Sequence, residues 1–189
     1  MMMSDIPSYL QDATDLLTKD GFATGDVWYH GTSSSLASSI TFSGLKRSGD
    51  KAMKQAAKST MATIGNKYTE SIEPVFLTQS KELAYYWAEQ AVRERSVRFE
   101  GDESPVVFAV ELPDELNALV RPDVGAASLL MVKEGEAYMA HVAKIYQDCS
   151  AGVPDIDLMK ADRLEYLKKL GMAYIDKDID AKFVSLVSR

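Results

Sequence analysis

Hydrophobic positions along this chain change period several times, and each change predicts an element. Ile6, Leu10, Ala13 and Leu17 recur at steps of four, three and four, with Gly21 beyond them. That repeat predicts an amphipathic helix over 5–19, within an N-terminal segment taken as 1–25. Val27-Trp28-Tyr29-His30 is a run of β-formers stopped by Gly31 and a Thr/Ser/Ser stretch, so it reads as a strand entering a turn. Leu36 and Ile40 share one face of a predicted helix over 34–43 that ends at Gly44. Residues 45–73 are weakly patterned and basic, with a helix expected around 51–62 and then a loop. Insertions of this kind often serve as lids or binding loops.

Beyond this region the pattern sharpens. Pro74 to Thr78 is a short apolar strand, and Gln79-Ser80 is placed to cap a helix over 81–95 that carries Tyr85-Tyr86-Trp87. An acidic loop, 100–103, precedes the clearest strand, 105–112, and a weaker strand is expected at 118–120. The pattern over 124–171 is mostly helical: Tyr138, Val142 and Ile145 hold one face, and a further helix covers 158–170. Strands are expected at 172–175 and 183–187. Strands and helices in this order argue for one α+β domain spanning 1–189, not a doubly wound sheet.

Composition narrows the class. With 46% hydrophobic and 26% charged residues the chain is ordinary for a globular protein, and 189 residues fit one full core. No apolar run approaches the ~20 residues that cross a bilayer, so no membrane partner is expected. Met1-Met2-Met3-Ser4-Asp5 lacks the basic and apolar regions of a signal peptide, and the expected home is cytoplasmic. Cys149 is the sole cysteine, which excludes an internal disulfide and a thiolate cluster, and no metal is expected. A net charge of −7 disfavours broad nucleic-acid binding. Lys46, Arg47, Lys51, Lys54, Lys58 and Lys67 nevertheless form a local basic patch against Asp50 alone. It reads either as a solvated face or as a phosphate-facing segment.

Candidate chemistry gathers at His30. At a strand end its ring is oriented, and Gly31 beside it has no side chain to keep a ligand from its backbone N–H and C=O. His30-Gly31-Thr32, then Phe76-Leu77-Thr78, then a helix with Ala84, Trp87 and Ala88, then the strong strand at 106–112, fall at consistent intervals. In spacing and order this resembles the H-Y-E group of ADP-ribosyltransferases, which includes diphtheria toxin and the poly-ADP-ribose polymerases. The resemblance covers about 27–112 and, more loosely, the chain end.

It implies a split β-sheet core flanked by helices and NAD as co-substrate. ADP-ribose would pass to a macromolecular acceptor, protein or nucleic acid, with release of nicotinamide. It implies that His30 bonds the ribose next to nicotinamide, that the Gly31 backbone pairs with the carboxamide, and that Thr32 completes the triplet. Two aromatics eleven positions apart would sandwich the ring. Phe76 and Trp87 have that spacing, and Tyr86 is the alternative partner. Aromatic faces suit a flat cationic ring by burial and cation–π attraction. An intracellular toxin or phage-related effector, with an antitoxin partner, is the role the resemblance implies for so compact a chain.

The group's late glutamate, which stabilises the positive charge developing on the sugar, has no match in Asp178-Ile179-Asp180-Ala181-Lys182-Phe183. Three explanations stand: Asp180 serves with a shorter reach, Glu136 supplies the acid, or the glutamate is lost, with Ala181 in its place. Glu136 and His141 otherwise read as helix-surface residues, and Cys149 as a packed thiol. Two other functions share the fold. One is an inactive module that binds NAD or ADP-ribose. The other is an RNA 2′-phosphotransferase, disfavoured because the 76–78 strand lacks a second histidine.

Overall fold

The computed structural model describes residues 17–18, 21–22, 27–63, 65, 72–122 and 172–188. Their architecture is α+β: one antiparallel sheet with helices against it. The central strand is β3, Val27–Ser33, numbered after a small ladder of β1, Leu17–Thr18, and β2, Gly21–Phe22. Along its whole length, from Val27↔Glu111 to Ser33↔Pro105, β3 pairs with β5, Pro105–Glu111. Its other neighbour is β4, Val75–Thr78, which pairs in turn with β7, Met172–Ile175. The two-residue β6, Arg121–Pro122, and β8, Val184–Leu186, close the edges, giving the order β6-β7-β4-β3-β5-β8.

Side chains alternate across β3. Trp28 points into the main core, where it meets Phe108, Val110, Leu77 and Ile175. Ile40 of helix α1, Ala37–Ser43, covers the same face after a 3₁₀ turn at Ser34–Leu36. The opposite face carries the long helix α3, Lys81–Ser96, through Ala84, Tyr85 and Val107. Ser80 starts α3 by accepting the Leu83 N–H at 3.0 Å. Between these helices lies α2, Lys51–Thr63, and the short α4, Asp114–Asn117, follows β5.

Several sequence expectations change here. The predicted strand 27–30 runs on through Ser33, so Gly31 lies inside it and stops nothing. A Cβ on Gly31 would sit 1.8 Å from the Ala84 carbonyl oxygen. The glycine admits the close approach of α3, a packing demand that looks like a turn signal in the sequence. The predicted 118–120 strand is instead a turn between α4, which Pro113 precedes with extended backbone, and β6 at Arg121–Pro122. Two acids in the first turn of α4, Asp114 and Glu115, favour a helix start there. Leu17–Thr18 is extended and pairs with Gly21–Phe22, so the 5–19 helix does not reach its predicted end. The helices expected over 124–171, with Glu136, His141 and Cys149, lie outside the described residues.

The remaining elements agree with the pattern to within a few residues. Gly44, at φ +82°, ends α1 as expected, and a Cβ there would sit 2.0 Å from the Ile179 carbonyl oxygen. That crossing lets Leu45 and Ile179 exchange backbone hydrogen bonds of 3.0 and 2.8 Å.

Candidate functional site

Central strands β3 and β4 touch at a single register pair, Tyr29↔Thr78, and then part. The direction of the free backbone follows from the pairing on the other side. The Ser34 N–H donates to the Ser104 carbonyl at 2.8 Å in the same register that pairs His30 with Phe108. Antiparallel ladders alternate, so the even residues of β3 turn their N–H and C=O toward β5. Odd residues turn theirs toward β4. Gly31 therefore presents its N–H and C=O at the edge where no strand pairs with it among the described residues.

His30 spans this parting. Its Nδ1 lies 2.7 Å from the Phe76 carbonyl oxygen, a bond that the ring makes by donating from Nδ1–H. That fixes the tautomer and leaves Nε2 as the acceptor. Burial pushes the imidazole below the ordinary histidine range, and the bond to Phe76 opposes this only in part. His30 is thus neutral near pH 7.

A cleft of about 400 Å³ opens beside the pair. Residues from both faces of the sheet line it: His30, Leu36 and Ile40 from one side, Ala91, Glu94 and Arg95 of α3 from the other. Such access is what the parted strands allow. Gly31, Thr32 and Phe76 also contribute, and Phe76 is 47% exposed there. Lys46, Ser48, Asp50, Met53 and Lys54 form the wall toward α2.

The structure thus gathers four of the sequence candidates, His30, Gly31, Thr32 and Phe76. Tyr86 and Trp87 are half-buried on α3 and pack edge to face at 5.3 Å between ring centroids; neither belongs to this lining. Asp180 lies outside it as well, exposed, its carboxylate accepting the Lys182 N–H at 2.9 Å at the start of a 3₁₀ turn, Ala181–Phe183. Ala181 follows, half-buried in that turn. Of the basic patch, Lys46 and Lys54 reach the lining, whereas Arg47 pairs outside it with Asp176 and Asp178 at 3.5 and 3.4 Å.

One group of residues escaped the sequence reading. Arg95 is buried to 7% exposure, with Nη1 2.6 Å from each oxygen of Asp50 and Nε 2.8 Å from Glu103. Glu103 also accepts the Ser33 hydroxyl at 2.6 Å, which carries the chain of contacts back to the end of β3. The Arg95 guanidinium holds the Glu103 carboxyl below the usual range, against its burial and with help from Ser33. Hydrogen bonding to Glu103 in turn raises the Arg95 pKa further. A sequence signal existed: Arg95 continues the stripe Ala84, Ala88, Ala91 on the face of α3 turned to the sheet. An arginine on a buried stripe requires acidic partners.

Among the described residues no three His, Cys, Asp or Glu side chains gather as a metal site, and no helix is long and apolar enough to cross a membrane. No protein-family model, no curated protein and no solved structure matches this chain.

Proposed function

We propose that the protein is an NAD-dependent ADP-ribosyltransferase whose nicotinamide end binds where β3 and β4 part. The observation that carries this reading is the pairing of a fixed, neutral His30 with the open N–H and C=O of Gly31, above the cleft. A primary carboxamide offers one donor and one acceptor, and an unpaired strand residue offers the complementary pair. Nε2 of His30 accepts a ribose hydroxyl, and the exposed ring of Phe76 supplies a face for the pyridinium. Holding the leaving group while the sugar carbon becomes cationic is positioning catalysis. The acceptor is a macromolecule. The role of an intracellular toxin or effector, with its antitoxin, belongs to the same proposal.

A second reading has its own support. Asp180 caps a turn outside the cleft lining, and Ala181 has no carboxylate to offer. Both facts favour a module that binds NAD or ADP-ribose without cleaving it. Calorimetry with NAD, alongside an assay of nicotinamide release, separates the readings. For the transferase, wild-type protein binds NAD and releases nicotinamide, and His30→Ala loses both. Binding without release selects the module. Binding that is absent from the wild type, or unchanged in His30→Ala, overturns both.

A further inference from the structure

We propose that the Asp50 carboxylate occupies a diphosphate subsite at the base of the cleft, made by Arg95 and the first turn of α2. Both Asp50 oxygens lie 2.6 Å from Nη1 of Arg95, and Oδ1 also accepts the Met53 N–H at 3.2 Å. Asp50 precedes the first residue of α2 and its carbonyl accepts the Lys54 N–H at 3.1 Å, so its side chain sits over the helix N-terminus. A guanidinium and a first-turn amide together are the donors that phosphate oxygens receive at helix starts. An anion is already bound here, and it belongs to the chain.

Three details indicate a receptor for more than Asp50. Arg95 spends Nε on Glu103 and Nη1 on Asp50, while Nη2 donates to no described residue. Arg95 lines the cleft, as do Lys46 and Lys54, so further cations stand where a larger anion would extend. Glu103, the second acid on Arg95, lies outside that lining. Withdrawing Asp50 removes one of the two carboxylates on Arg95 and frees Nη1, while Glu103 stays on Nε. In the wild type Asp50 competes with an incoming diphosphate, which lowers the apparent affinity by the fraction of time it holds Arg95.

The subsite stands on this geometry alone. That its diphosphate belongs to a dinucleotide rests on the reading given above. Asp50→Ser removes the charge and keeps a good N-cap, so α2 retains its start. Asp50→Asn is a second capping variant. Glu115→Gln, at an exposed position of α4 outside the cleft, controls for net charge. The full chain is titrated with inorganic pyrophosphate at low salt, then with NAD. Expected is a gain of about tenfold in pyrophosphate affinity for Asp50→Ser, the same direction for Asp50→Asn, and none for Glu115→Gln. Equal affinity in wild type and both Asp50 variants overturns the subsite, as does an equal gain in Glu115→Gln. A gain for pyrophosphate with no NAD binding in any variant supports the subsite and removes the dinucleotide.

Discussion

Gly31 shows how one residue can serve two demands that look alike in a sequence. Read in the chain, a glycine after a run of β-formers is a turn signal. In the fold it lies mid-strand, because α3 approaches so closely that a Cβ would meet the Ala84 carbonyl at 1.8 Å and the Ala88 nitrogen at 2.9 Å. Backbone atoms cannot swing aside as a side chain can, so the strand or the helix must shift. Gly31→Ala is therefore expected to destabilise the protein by at least about 1–3 kcal/mol, the range for overpacking, measured by urea denaturation. A variant as stable as the wild type would show that α3 sits less tightly on β3. His30 was legible as a chemistry-bearing residue. Its bond to the Phe76 carbonyl was not, because the partner is a backbone atom 46 residues away and no side-chain pattern encodes it.

At the scale of elements, the strands and helices with strong periodicity were legible: β4, β5, β7 and α3 fall where the apolar pattern places them, and β3 starts there but runs three residues further. Less legible was the way β3 and β4 meet. Hydrophobic alternation marks a strand, but the register and extent of pairing depend on which neighbours compete for its edge. Phe76 illustrates the consequence. It alternates out of the core between Val75 and Leu77, which are 3% and 4% exposed, and stands 47% exposed at the cleft. About half of its surface is buried, so Phe76→Ala should cost about 1 kcal/mol, near half the value of a fully buried side chain. On the proposed function it should weaken NAD binding by about tenfold, the scale of one aromatic contact. Loss of stability with unchanged NAD affinity would make Phe76 a packing residue and remove it from the site.

For the whole molecule, the α+β class follows from the order of elements, whereas the charged network beneath the cleft does not. Asp50, Arg95, Glu103 and Ser33 come from four separate stretches, and only folding brings them together. That network and His30 make stability depend on pH in one direction. Glu103 has its carboxyl held low by Arg95, Asp178 by the Arg47 N–H and side chain, and His30 has its imidazole lowered by burial. In each case the unfolded chain binds a proton more readily than the folded one, so acid favours unfolding. The His30 contribution is complete above the ordinary histidine range near pH 6.5 and is lost as pH falls from there toward its lowered native value. The carboxylate contributions are complete above their ordinary range near pH 4 and are lost as pH falls through their lowered native values. Denaturation followed from pH 8 to pH 3 should thus show stability declining in two stages. His30→Gln, in which the side chain no longer titrates, should flatten the upper stage. Glu103→Gln should flatten the lower stage while lowering stability at neutral pH, since Arg95 is left buried with one partner fewer. An upper stage that persists in His30→Gln would assign it to a group other than His30, and the imidazole would then have no lowered pKa to account for.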